Sequence, residues 1–339
     1  MFLRSLSHAV ILGAVALGAM ALPAVAQDRI TIKFSHVVTA DAPKGKAAEY
    51  FKRLVEERTN GRVVVEVYPN SQLYKDKEEI EALQLGAVQL LAPAYAKLGS
   101  MGLREFEVFD LPYLFDSMAD AQKVTQGPIG QELLKKAESR GITGLAFWDN
   151  SFKQMTANRP LRTPEDFKGL KLRIQSSKVL DAQMRALNAL PQVLAFSEVY
   201  QALQTGVVDG QENPFSNIYT QKFHEVQKAL TVTNHGYHGY LLLTNKRFWD
   251  ELPVELRGVL TTAIKDSTAY FNSIAKQDDD AALDAIRKSG KTDIVELTPQ
   301  EKAGLKKALL PVHKMMAARV GDGLIKSIYK ATGFDPSRF

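Results

Sequence analysis

The sequence predicts an α/β protein built in two lobes that share crossing strands and one long helix. Three observations predict it. Strand and helix patterns alternate as βαβαβ from Ile30 to Ala92, the order of a parallel, doubly wound sheet. A second α/β pattern restarts after a polar break at Asp149, Asn150 and Ser151, in a chain of 339 residues that is long for one lobe of ~100–200. From Pro253 to about Ser289 a helical period continues through one glycine and no further proline. At ~1.5 Å per residue such a helix approaches ~55 Å, whereas a lobe of ~130 residues has a radius of gyration near ~14 Å, so the helix must run along both lobes.

Residues 1–26 carry Arg4, an apolar run from Ala9 to Leu22 and the small-x-small end Ala24, Val25, Ala26. This is the pattern of a secretory signal peptide cleaved after Ala26, which predicts an exported protein; the run falls short of the ~20 residues that span a bilayer. Lys and Arg number 43 against 38 Asp and Glu, a net charge of +5 that loses one unit with Arg4. The charges are interspersed, with no basic run and no RNA-binding motif, which argues against nucleic acid as a partner. No cysteine is present, so disulfides, thiol catalysis and cysteine metal sites are excluded.

Ile30, Ile32 and Phe34 alternate with polar neighbours as a strand. The loop from His36 to Pro43 leads into a helix, Lys44 to Arg58, whose apolar face is Ala47, Phe51, Leu54 and Val55 and which stops at Gly61. A strand Val63 to Tyr68, a turn at Pro69 and Asn70, a helix Lys77 to Leu85 and a strand Val88 to Ala92 follow. The turn after the first strand lacks GxGxxG and a P-loop glycine–lysine motif, so a nucleotide-binding enzyme loses its main support. That loop does place His36 and Lys44 near the expected crevice, although either could equally be an ordinary surface residue.

FDLPYLF, Phe109 to Phe115, folds apolar side chains about a proline turn; Ser117 to Gly141 is helical in period, and Ile142 to Trp148 is a strand that ends in the polar hinge. Thr163, Pro164, Glu165 and Asp166 form a capped helix start that Gly169 ends at once. The strand Gly169 to Gln175 then sets Leu170, Leu172 and Ile174 on one face and Lys171, Arg173 and Gln175 on the other. From these residues alone Arg173 is a surface arginine. In Phe196 to Pro214, Ser197 is placed to cap a helix and Gly206 to end it. Val207 and Val208 begin a buried strand that delivers Asn213 to a crevice beyond strand ends, where α/β proteins bind ligands.

Ala229 to His235 and Gly239 to Thr244 read as strands returning to the first lobe. In extended chain His235 and His238 fall on opposite faces with no nearby carboxylate to complete a zinc set, so no metal is expected, and Tyr237 is the better pocket neighbour. After the long helix come a strand Asp293 to Leu297, a cap at Thr298 to Glu301, and two terminal helices bent at Pro311.

FSEVYQALQTGVVDGQENP following KGLKLRIQ, together with KFSHVV, FDLPYLF, TANRPLRTPEDFKGLKLR and VTNH, resembles the TRAP-transporter solute-binding proteins, and within them the C4-dicarboxylate-binding DctP group. The likeness runs over nearly the whole mature chain. It implies a two-lobed periplasmic-binding-protein fold of type II-like build, with hinge strands, in which residues 27–150 plus 239–278 form lobe I and 151–238 plus 279–339 form lobe II. It implies that Arg173 binds the substrate carboxylate, with Asn213 as an amide donor and Phe196 as a flat apolar wall. Lys153 stands where sialic-acid-binding relatives carry a second arginine, which argues against sialic acid and leaves a point charge for a separate carboxylate. Lys44, His36, Trp148 and Tyr237 complete the expected ligand contacts.

The expected ligand is a small organic dianion, succinate, malate or fumarate, passed to the small and large membrane subunits of a TRAP complex by a monomer without cofactors. A 2-oxo acid, sugar acid or aromatic acid would keep the same role. An exported hydrolase is the rival from another class, but the chain has no GxSxG, HExxH or cysteine nucleophile.

Overall fold

The computed structural model describes residues 29–336. The expected signal peptide and its cleavage point after Ala26 lie outside the described residues. Nine strands form one sheet: β1 (Ile30–Ser35), β2 (Val63–Tyr68), β3 (Leu90–Leu91), β4 (Ile142–Ala157), β5 (Lys171–Ile174), β6 (Leu190–Val193), β7 (Gly210–Asn213), β8 (Ala229–Asn245) and β9 (Asp293–Glu296). Their order is β2-β1-β3-β8-β4-β7-β5-β6, with β9 beside β8. β1 pairs in parallel with β2 and β3, and β5 in parallel with β6 and β7, so each end of the sheet is a parallel unit. The antiparallel pair β4 and β8 joins the two ends.

That pair corrects the expected break. A polar stretch at Asp149, Asn150 and Ser151 does not end the strand, because β8 supplies a partner along the whole of β4. The irregularity survives as a register shift between Asp149 opposite Gly239 and Ser151 opposite His238. For the same reason the two returning strands are one, β8. In the segment after Phe196 the strand begins at Gly210, later than expected: Gly206 ends the helix in the left-handed region, Val207 is exposed, and Val208 is buried ahead of the strand. Ser197 does not cap that helix; the Glu198 side chain accepts the Ala195 N–H instead.

Packing explains the helices. The helix Pro43–Arg58 starts on proline, buries Ala47, Ala48, Phe51, Leu54 and Val55, and closes through Asn60 and Gly61 at positive φ. The long helix is Val254–Ser289, 36 residues and so about 54 Å. Leu256, Leu260, Ala263 and Phe271 join the core with Phe34, Phe51 and Trp148, while Ala282 and Ile286 join another with Val37, Val38, Phe196 and Phe223. One helix thus contributes to the cores of both ends of the sheet. Three terminal helices follow it, because Gly321 adds a second break beyond Pro311. Leu305 and Leu309 of the first pack with Leu172 and Ile174, whereas Val312, Val320, Ile325 and Ile328 pack with Phe106, Leu114 and Phe147.

Phe271 stacks on Trp148 with centroids 5.1 Å apart and planes at 15°, and both side chains are fully buried. Phe271→Ala is expected to cost about 3–5 kcal/mol through lost burial and a cavity under β4. Denaturant unfolding checks this, and a loss under about 0.5 kcal/mol would show that the stack does not brace the fold.

Candidate functional site

β7 is pressed between β4 and β5, with Gly210 beside Leu172 and Asn213 opposite Gln154. A Cβ on Gly210 would stand 2.2 Å from the Thr156 carbonyl oxygen, so this close approach requires glycine. Pro214 ends the strand and N-caps the short helix Phe215–Thr220, leaving Asn213 at the strand end. Its amide donates to Gln211 Oε1 at 2.6 Å and its carbonyl accepts from Asn217 Nδ2 at 3.2 Å; Asn217 also donates to the Tyr240 hydroxyl at 3.2 Å. This chain of polar groups ends in a small cavity of about 10 Å³ lined by Lys44, Lys97, Gln175, Phe196, Asn213, His238 and Tyr240, among others. Lys97 and Gln175 also line a neighbouring cavity of about 230 Å³, with Asp76, Arg173 and Leu194.

Arg173 comes from β5, one residue from the apolar side chains Leu172 and Ile174. The alternation separates it from them as expected, yet it is no surface residue: its exposure is 1%. Nε and Nη2 donate to the Leu194 carbonyl at 3.1 and 2.9 Å, Nη1 has no hydrogen-bond partner among the described residues, and the Phe196 ring lies 5.7 Å from the guanidinium. The carboxylate in reach is that of Asp76, 4.0 Å from Nη2. Burial lowers the pKa of Arg173 from its ordinary value, with Asp76 and Glu212 working in the other direction.

Two lysines face the same space. Lys44 Nζ donates to the Ala92 carbonyl at 2.9 Å and sits 4.1 Å from the centre of the Tyr240 ring. Burial, and then the charge of Lys97, lower its pKa to about 7. Lys97 Nζ is held by Asp76 and by Glu79, the latter at 2.8 Å. Burial opposes its charge, but these two carboxylates raise Lys97 above its ordinary value.

The structure therefore brings Arg173 to one cavity and Phe196, Lys44 and Asn213 to another, the two sharing Lys97 and Gln175. His36 is fully buried outside the lining, and burial with the charge of Lys44 lowers it to about 3, so it is neutral. Lys153 lines neither cavity: its Nζ meets Glu212 at 2.8 Å and Asp110 at 3.8 Å. Trp148 lies in the core and donates its Nε1–H to Thr268 at 3.0 Å. Tyr237 also points elsewhere, its hydroxyl donating to Asp149. Parity along β8 explains this last case, since His238 and Tyr240 share a face and Tyr237 has the opposite one. Sequence reasoning missed Lys97, Tyr240, His238, Asn217 and Asp76; only the two on β8 left a signal, the alternation itself. His235 bonds Glu212 at 3.0 Å while His238 packs on Tyr240, and no group of three or more metal-ligating side chains occurs among the described residues.

Two parallel sheet units joined by one antiparallel pair, a helix bracing both, and a buried cationic space between them define the architecture of a two-lobed solute-binding protein. The chain belongs to the bacterial extracellular solute-binding proteins of family 7, the DctP family, which it matches over residues 34–319. It is 59% identical over 322 residues to the C4-dicarboxylate-binding periplasmic protein DctP of Rhodobacter capsulatus, covering 95% of this chain and 97% of that one. Among solved structures it resembles a TRAP periplasmic solute-binding protein of Shewanella oneidensis with bound succinate, with a TM-score of 0.88 and 42% identity over 90% of this chain and 99% of that one. It also resembles one of Pseudomonas aeruginosa with bound L-malate, with a TM-score of 0.82 and 41% identity over 84% of this chain and 99% of that one.

The Lys153 pair yields a test. Burial works against the charge of Glu212, but Lys153 and His235 hold it at about 2, below its ordinary 4.5. The stabilisation is therefore complete above pH 4.5 and is lost as pH falls toward 2. Glu212→Gln should destabilise the protein at neutral pH by about 3–5 kcal/mol by leaving Lys153 short of a partner, and Glu212→Leu with Lys153→Met should cost less. A single variant as stable as wild type by denaturant unfolding would show that Lys153 does not depend on this pair.

Proposed function

We propose that the protein is the extracytoplasmic receptor of a TRAP transporter, which captures a C4-dicarboxylate such as succinate or malate and delivers it to the small and large membrane subunits. It acts as a periplasmic monomer without a cofactor, after cleavage of its leader behind Ala26. The observation that carries the ligand class is the buried guanidinium of Arg173, whose Nη1 has no hydrogen-bond partner among the described residues and whose Nη2 lies 4.0 Å from the Asp76 carboxylate. A buried cation with an open donor fork suits a carboxylate, because two parallel charge-assisted bonds replace the water it loses. Asn213 adds a neutral donor and Phe196 a wall, while Lys44 and Lys97 supply charge for a second carboxylate. The succinate and malate bound by relatives of the same fold support the same reading.

Closure follows from how the chain crosses between the lobes. We place the crossings at 150/151, 238/239 and 278/279, so that residues up to 150 and 239–278 move as lobe I, and residues 151–238 and those from 279 as lobe II, the last two helices packing back on lobe I. The register shift of β4 and β8 falls at the first two. At the third, neighbouring residues of the long helix take opposite partners: Asp278 pairs with Lys46 at 2.6 Å, and Asp279 accepts from Ser216 N–H at 2.8 Å and Ser151 Oγ at 2.7 Å. Ligand binding then favours the closed form by its greater affinity for it.

Calorimetry should show no succinate binding by Arg173→Ala and weak binding by Arg173→Lys, since truncation removes a charge-assisted pair and lysine lacks the fork. Both variants within a factor of about two of wild type would remove Arg173 as the anchor. Succinate at ~100 times its dissociation constant should raise the melting temperature by about 5 °C, and butyrate should not, because a mono-acid leaves a lysine desolvated and unpaired. A larger shift with a 2-oxo acid, sugar acid or aromatic acid than with any C4-dicarboxylate would replace the ligand and keep the transporter role.

Proton linkage gives a further test. Lys44, at about 7, faces Lys97, Glu79 and Asp76, with His36 and Tyr240 beside it. A dianion raises its pKa, so binding at pH 8 takes up a proton, whereas well below pH 7 Lys44 is charged beforehand and takes up none. Affinity should fall as pH rises above about 7, and binding heats at pH 8 should differ between buffers of different ionisation enthalpy. Equal heats in all buffers would mean that Lys44 does not titrate with the ligand.

A further inference from the structure

Asp76 lies between β2 and the helix Glu79–Gln84, on the β1–β3 side of the cleft. Its carboxylate is bonded by Lys97 of the same side and accepts the backbone N–H of Phe196 from the other. The oxygen that accepts from Phe196 is the one 4.0 Å from Arg173 Nη2. Phe196 belongs to the stretch that holds the guanidinium, since Leu194 accepts both Arg173 bonds and the Phe196 ring faces the same group. Lys75, the residue before Asp76, meets Glu198 of that stretch at 3.1 Å.

These contacts differ in weight. The Lys75–Glu198 pair has about half of each side chain exposed and is screened, whereas the Asp76 side chain is 10% exposed between two buried cations. Burial opposes its charge, but Lys97 and Arg173 hold its carboxyl below the ordinary range, so it is an anion at neutral pH. A carboxylate that accepts a backbone N–H and touches an ammonium group makes charge-assisted bonds, and opening the cleft would break the one to Phe196.

We propose that Asp76 is a positioning residue that latches the cleft: on closure it grips the Phe196 N–H and brings Lys97 and Arg173 to opposite sides of one anion site. This rests on the reading of Arg173 as the ligand's anchor. Capture takes place on the open form, where the latch is not made, so Asp76 does not set the association rate. Release requires the latch to break, so Asp76 sets the dissociation rate.

The test uses the full mature chain, with succinate as probe and stopped-flow fluorescence as readout. Asp76→Ala should raise the dissociation rate about ten-fold or more while the association rate stays within about two-fold, and Asp76→Asn, which keeps an acceptor and loses the charge, should fall between. Glu198→Gln should change release by less than about two-fold. Should the alanine variant fail to fold, as judged by its melting temperature, the asparagine variant carries the same test. With Arg173 still required for binding, an unchanged dissociation rate, or a loss confined to association, overturns the latch alone. No succinate binding by wild type, or full binding by Arg173→Ala, overturns the anchor and the latch with it.

Discussion

A guanidinium that is 1% exposed, and among the described residues meets one carbonyl oxygen at hydrogen-bond distance, sets the terms for what lies around it. Removing such a charge from water is costly unless anions and oriented acceptors replace the lost hydration. The Leu194 carbonyl supplies part of that and Asp76 at 4.0 Å part, while Nη1 has no hydrogen-bond partner among the described residues. Gly210 lets β7 approach β4 closely, β5 lies against β7, and Arg173 and Asn213 thereby reach the ends of adjacent strands.

The second constraint is that this site is assembled from both ends of one sheet. Lys44 and Lys97 come from the β1–β3 end, Arg173, Phe196 and Asn213 from the β5–β7 end, and only the long pair β4–β8 runs through the sheet between them. The long helix touches both sides, with Asp278 paired to Lys46 on one and Asp279 accepting from Ser216 on the other.

The sequence made the periodic and punctuated features legible. The helix from Pro43, the 36-residue helix, the capped start at Thr298 and the glycine ends are local, and each appears close to where its residues place it. Long-range pairing was hidden. The polar run Asp149 to Ser151 has the composition of a break, and only β8, about ninety residues away, keeps it in a strand. The same limit applies to the candidate site. Arg173 and Asn213 sit in motifs on short strands, whereas Lys97 and Asp76 lie in segments with no strand period and meet Arg173 only through the fold. Lys153 illustrates the converse, a lysine on β4 whose charge is met by Glu212, the residue before Asn213 on β7, a partner that no local pattern announces.

The most direct test of the account is a crystal structure of the mature protein with succinate. The account predicts one carboxylate paired with Arg173 through Nη1 and Nη2, Asn213 and Phe196 against the ligand, and the second carboxylate within hydrogen-bond reach of Lys44 or Lys97. Succinate bound away from Arg173, or with its second carboxylate on Lys153 in place of Glu212, would contradict it.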